Sequence, residues 1–248
     1  MKLQEIFTHL ATGELSQVYL AETGGQDVIA DEYLKSMTQS IQLGLTALHS
    51  RFTLKEGEVS IKLDAIRTHY PLRSKYSVTK TTTADPKYIL DSVELPFRDD
   101  ILKIERVTTL NHDELPLNMR HEAMSVHTPS SDTVVFPTEI ITGIGDVPEE
   151  FKTDYFKVHY RANHSSLIPR GGILMPDKIE VELPTSHLQA LLYFVASRKT
   201  NPIGIVQEFH AGNSWFQKYE LECKQLEDNG VGTHVDLTHQ RFIKNGWA

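Results

Sequence analysis

Apolar positions recur at two different periods along this chain, and the change of period divides it. Leu3, Ile6, Phe7 and Leu10 follow the i, i+3, i+4, i+7 rule of a helix with one buried face, and Gly13 stands where a C-terminal glycine is expected. Between Ala30 and Phe52, the residues Leu34, Met37, Ile41, Leu45, Leu48 and Phe52 fall at steps of three or four. That stripe predicts a helix of roughly 33 Å that needs a partner of similar length. Gly44 lies beside the stripe, where glycine costs about 1 kcal/mol relative to alanine; close approach of a neighbouring helix and simple tolerance are both open readings.

From Glu58 the period falls to two. Val59, Ile61 and Leu63 alternate with polar residues, as a strand with one wet face requires. Further strands are expected at Ile101 to Val107, Val134 to Phe136, Tyr155 to Tyr160 and Lys178 to Leu183, separated by proline-bearing turns such as Asp85-Pro86, Leu95-Pro96 and Thr128-Pro129. Regular helix–strand alternation is missing, which disfavours a doubly wound parallel sheet. Helical spacing returns after Pro184, with Thr185 or Ser186 as the cap and Leu188, Leu191, Leu192 and Val195 on one face. A last helix carries Ile205, Phe209, Phe216, Tyr219, Cys223 and Leu226 at heptad-like steps, with Gly212 among them.

These elements predict an α+β fold: a helical bundle built from the N- and C-terminal helices (1–56 and 184–229) with an inserted antiparallel β-sheet or small sandwich (57–183). The extended C-terminal tail, 230–248, is expected to be a docking arm. It carries Val235, Leu237, Phe242, Ile243 and Trp247 but is too short for its own core, so it packs on its own domain or docks on a partner as an added strand or arm.

Composition narrows the classes. The 248 residues are 40% hydrophobic and 23% charged, the profile of a folded protein rather than a disordered chain. Twenty-five Lys and Arg against 33 Asp and Glu give a net charge of -8, which argues against nonspecific nucleic-acid binding through bulk charge. One cysteine, Cys223, excludes an intrachain disulfide and lies on an apolar stripe, where a small buried hydrophobe is expected. The opening residues have no apolar core of signal-peptide type and no stretch nears 18 uninterrupted apolar residues, so neither such export nor a membrane span is expected.

Searches for chemistry return weak patterns. His121-Glu122 is followed by His127 rather than by a histidine at the zincin spacing, so no metal is expected. His159 and His164 flank a strand end and are expected to be solvated. The acid pairs Asp99-Asp100, Glu149-Glu150 and Glu227-Asp228 are sequence neighbours in turns or helix ends, which does not make an acid–base pair. Gly143-Ile144-Gly145 lacks the third glycine of a dinucleotide loop, and Arg170-Gly171-Gly172 lacks the lysine of a phosphate loop. No cofactor is expected. Thr79, Thr81, Thr82 and Thr83 suggest a loop or edge strand.

Several stretches in order, LQEIFTHLATGELSQVYL, IQLGLTALHSRFTLKEGEVSI, LKIERV, TPSSDTVVFP, the YRANH segment, LPTSHLQALLYFVASR and WFQKYELECKQL, resemble the head-to-tail adaptor proteins of short-tailed bacteriophages. The resemblance implies a non-enzymatic virion protein: a homo-oligomeric, twelve-fold ring that binds the portal protein on one face and a tail or nozzle protein on the other. DNA would pass through its lumen without specific binding; the net charge of -8 either faces that lumen or is ordinary solubility charge. It also implies assembly in the host bacterial cytoplasm and a place at the head–tail junction, with Val235, Leu237, Phe242, Ile243 and Trp247 as portal anchors. Two alternatives stand beside it. A hydrolase site assembled from scattered residues such as Asp113, Glu114, His121 and Glu122 predicts a concave pocket with convergent titratable groups, which the adaptor reading does not. A β-sandwich ligand-binding module for carbohydrate would want aromatics on one sheet face, and Tyr155 and Tyr160 have opposite parity.

Overall fold

A computed structural model describes residues 1–16, 31–80, 85–168, 174–200 and 206–231. In chain order, helices precede and follow a central antiparallel β region, a mixed α+β fold. The chain divides into two compact units, Met1–Leu54 with His164–Ala248, and Lys55–Asn163. Residues 164–183, grouped with the insertion on the sequence pattern, fall in the helical unit.

In the helical unit, α1 (Leu3–Thr12) and α2 (Asp31–Arg51) present the predicted stripes: Leu3, Ile6, Phe7, Leu10, Met37, Ile41, Leu45, Leu48 and Phe52 are all buried. They share one core with Leu191, Leu192 and Val195 of a later helix, Leu188–Lys199, and with Tyr219, Cys223 and Leu226 of the last, Val206–Asp228. Gly44 has a contact reason. A Cβ there would stand 2.6 Å from Leu191 Cδ1 and 3.0 Å from Phe194 Cδ1, so the helices touch backbone to side chain at this point. Cys223 is buried, and burial pushes its thiol up. The expected strand at Lys178 to Leu183 is reduced to a bridge between Lys2 and Glu180, where Leu3 N–H donates to Ile179 O at 2.9 Å. His164 is buried rather than solvated, its Nε2 accepting from Glu182 N–H at 3.2 Å.

The β unit holds β1 (Glu56–Lys62), β2 (His69–Pro71), β3 (Ile89–Leu90), β4 (Ile101–Thr109), β5 (Glu114–Leu115), β6 (His127–Ser130), β7 (Thr133–Val135) and β8 (Tyr155–Ala162). They form a five-stranded sheet in the order β3-β1-β8-β4-β5 and a three-stranded sheet in the order β2-β7-β6, with every named strand pair antiparallel. One core serves both sheets. Phe136, after β7, meets Phe156 of β8 at 5.1 Å between ring centroids, with Val59, Ile61, Val107, Val158 and Tyr160 around them. A helical turn, α3 (Thr138–Thr142), ends at Gly143 in the left-handed region, φ 65°, which agrees with a turn rather than a dinucleotide loop. The Leu188–Lys199 and Val206–Asp228 helices are α4 and α5 below.

Period two in β8 separates its faces cleanly. Phe156, Val158, Tyr160 and Ala162 point into the core, whereas Tyr155, Lys157, His159 and Arg161 point away. Registered opposite on β1, Glu56 faces Arg161, Glu58 faces His159 and Ser60 faces Lys157, so complementary charges line the outer face.

Candidate functional site

Two polar networks and one cleft are built on β1, β3, β8 and β4. The first network centres on Asp91, just after β3. Its carboxylate accepts from the Ser77 hydroxyl, from Thr79 Oγ1 at 2.8 Å, from Thr79 N–H at 3.2 Å and from Phe97 N–H at 3.1 Å. Burial alone would raise its pKa, but the hydrogen bonds from Ser77, Thr79 and Phe97 outweigh it and hold the carboxyl below its ordinary range. A carboxylate so satisfied fixes a loop: it bends residues 91–97 away from the line of β3.

The second network crosses three adjacent strands. Glu58 on β1 lies 2.9 Å from Lys157 Nζ and 3.5 Å from His159 Nδ1, and His159 Nε2 on β8 lies 3.0 Å from Thr108 Oγ1 on β4. The Lys157 hydrogen bond is the largest cause holding Glu58 below its ordinary pKa, so it is ionised and an acceptor only. That carboxylate sets the imidazole tautomer, with the proton on Nδ1 and Nε2 accepting from the Thr108 hydroxyl. Burial lowers the pKa of His159, and Arg106 lowers it further against the pull of Glu58, so the ring is neutral at pH 7. The result is a carboxylate–imidazole–hydroxyl chain, with Thr108 itself buried.

Between β1 and the 91–98 loop lies a cleft of about 640 Å³. Glu56, Glu58, Asp91 and Asp100 line it together with Lys55, Arg98, Tyr160 and Phe97. Tyr160 Oη donates to Asp100 Oδ1 at 3.2 Å, and burial first, then Asp100, push the phenol up. The Tyr160 ring lies over Gly57, its cross-strand partner; a Cβ there would overlap the ring, so glycine is required by close approach.

These observations overturn two expectations. The adaptor reading calls for a non-enzymatic ring subunit acting through broad surfaces without a pocket of convergent titratable groups. The β unit carries a cleft lined by titratable groups and, separately from its lining, Ser77, Thr79, Thr108 and His159 in Ser77–Asp91, Thr79–Asp91 and Thr108–His159 networks of the kind used in catalytic or ligand-binding sites; this finding replaces the passive DNA conduit and the non-enzyme.

The hydrolase residues chosen from sequence are not the ones assembled. Asp113 and Glu114 sit at the β4–β5 turn, where Asp113 bonds Thr109, and His121 and Glu122 are exposed in a later turn; none of the four bonds another. His159, expected to be solvated, is inside β8 with its side chain 16% exposed. Its signal in the sequence was the charge pattern: Lys157, His159 and Arg161 alternate on one strand as Glu56 and Glu58 do on another, but nothing in the sequence pairs the two strands. Tyr155 and Tyr160 point to opposite faces, as their parity predicts. Among the described residues no group of three or more His, Cys, Asp and Glu side chains is placed to hold a metal ion. Val235, Leu237, Phe242, Ile243 and Trp247 lie outside the described residues. Among the described residues no helix is long and apolar enough to cross a membrane.

No protein-family model matches the chain, and a comparison with curated proteins finds no match.

Proposed function

We propose that the β unit binds a polar ligand in the cleft along β1, and that the Glu58–His159–Thr108 chain gives this site acid–base chemistry of the hydrolytic kind. One residue carries the reading. Glu58 lines the cleft, and its carboxylate on the outer face of β1 is the group beside His159, so one residue of β1 joins the cleft to the carboxylate–imidazole–hydroxyl chain. A neutral imidazole flanked by a carboxylate and a hydroxyl is the arrangement that takes a proton from the hydroxyl and returns it to a leaving group. The cleft volume falls within the range of small-molecule sites, and its mixture of acids, Lys55 and Arg98 with Tyr160 and Phe97 suits a ligand with several hydrogen-bonding groups.

The test has two arms on the full chain. Ligand-observed NMR against sugars, nucleotides, amino acids and short peptides should find binders that compete for one site and weaken in Glu58→Gln. A panel of nitrophenyl esters should show turnover that falls about 100-fold or more in His159→Ala. Failure of both arms with folded protein overturns the proposal.

A further inference from the structure

On the outer face of the sheet, Arg106 of β4 stands beside the His159 chain with no counter-ion among the described residues. Strict alternation along β4 would put Ile104 and Val107 on opposite faces, yet both are buried in the shared core. A bulge resolves this. The register with β8 steps from Ile104↔Tyr160 to Arg106↔His159, so Glu105 is an extra residue and Glu105 and Arg106 both stand on the outer face. The carboxylates nearby are already engaged: Glu105 lies 2.8 Å from Arg161 Nη2 and 3.0 Å from Lys103 Nζ, and Glu58 is taken by Lys157 and His159. Arg106 is half-buried, and among the described residues it makes no hydrogen bond and no ion pair.

We infer that Arg106 is the anion subsite of the Glu58–His159–Thr108 chain, and that the small ligand acted on there carries a carboxylate or a phosphate. The inference rests on the reading of that chain as acid–base machinery and names its ligand class. Directly opposite residues of antiparallel strands share a face with Cα atoms about 5 Å apart, and Arg106 and Thr108 are two residues apart on β4, about 7 Å, so an oxyanion on the guanidinium holds the rest of a small ligand over the imidazole and the hydroxyl. A guanidinium offers paired N–H donors that match either oxyanion, and one already half out of water has less hydration to lose on binding. The same placement couples binding to proton affinity. His159 is faced by Glu56 and Glu58 from β1, by Arg106 from β4, and by Lys157 and Arg161 on its own strand. Burial first and Arg106 next keep the imidazole neutral, so an anion seated on Arg106 lifts part of that restraint and the ring takes a proton more readily.

The probes are benzoate and phenyl phosphate, titrated into the full chain at low ionic strength and followed through the His159 ring signals by NMR. Expected is saturable binding of at least one of them, with the His159 midpoint rising by about 0.5 pH in the complex; the tighter probe tells a carboxylate from a phosphate. Arg106→Gln should weaken that binding at least tenfold. In this variant the midpoint of the free protein should already be higher and the anion should no longer move it, a response that lost packing alone does not produce. Arg106→Lys, which keeps the charge without the planar fork, should bind with intermediate strength. Turnover separates the inference from the reading beneath it: the bound anion should compete with nitrophenyl acetate in the native chain and at least tenfold more weakly in Arg106→Gln. Failure of both anions to bind, or binding that ignores Arg106→Gln, overturns the inference. Ester turnover indifferent to a bound anion overturns it as well and leaves the hydrolytic reading standing. Anion binding that depends on Arg106 beside no ester turnover supports the anion site and overturns the hydrolytic reading instead.

Discussion

Gly44 and Asp91 show how single residues decide contacts here. With a Cβ 2.6 Å from Leu191 Cδ1, Gly44→Ala trades a gain in helix propensity of about 1 kcal/mol against overpacking of about 1–3 kcal/mol, and the second wins because Phe194 blocks retreat on the same side. Urea unfolding should therefore show a less stable Gly44→Ala and a much less stable Gly44→Val. Asp91→Asn keeps one oxygen for four donors and should destabilise the β unit by about 1–3 kcal/mol, with less than additive loss when combined with Ser77→Ala, since both remove the same bond. Ligand binding in the cleft should weaken in parallel, because Asp91 and the loop it fixes form one wall of the cleft. Arg51 is a contrast. It bonds Glu227 at 2.6 Å and Glu220 at 2.7 Å, but the partners are 39% and 47% exposed, so Arg51→Ala should cost no more than about 1 kcal/mol by the same measurement.

At the scale of elements, each unit buries a histidine that must stay neutral. His159 lies between β1 and β4, and His187 sits just before α4 with its Nε2 buried without a hydrogen-bond partner and its ring edge-on to Phe52. Burial lowers both pKa values below the ordinary 6.5. The unfolded chain then binds protons that the folded chain refuses, so stability is complete above about pH 6.5 and declines as pH falls toward the folded values. Glu58 and Asp91, both depressed, add stability above their ordinary values of 4.5 and 3.8 that is lost at still lower pH. Melting temperature followed from pH 8 to 4 should fall in two stages, and His187→Leu should flatten the upper stage; a flat profile between pH 7 and 5 in the native chain would contradict the burial argument.

β1 and β8 were legible because burial on one face leaves alternation, which they display throughout, whereas the two- to four-residue strands β2, β3, β5 and β6 are too short to show it. The partnership of β1 with β8 was not legible, since alternation states which face is apolar and nothing about which strand lies alongside. The same limit hid the site: Glu58, Thr108 and His159 are far apart in sequence, and only the register of β1, β8 and β4 joins them.

On the scale of the molecule, the β unit is an insertion whose ends meet. The chain enters at β1 and leaves at β8, antiparallel neighbours, and Ala162 N–H donates to Lys55 O at 2.8 Å. With its own core around Tyr70, Phe136 and Phe156, residues 55–163 expressed alone should give a dispersed NMR spectrum and retain ligand binding. A helical unit closed across the gap by a short glycine–serine linker should stay folded, because its core draws on α1, α2, α4 and α5 without the strands. Loss of folding in both pieces would contradict the division.

The sequence by itself determined where α1, α2, α4, α5 and the strands β1, β4, β7 and β8 run, which face of each is apolar, and that Gly44 is a point worth explaining, because local periodicity and side-chain volume act within a few residues. The pairing of β1 with β8, the early end of β3 at Asp91, and the burial that keeps His159 neutral were decided only in three dimensions. Each depends on a neighbour distant in the chain, and desolvation and hydrogen bonding exist for a side chain only once that neighbour is in place.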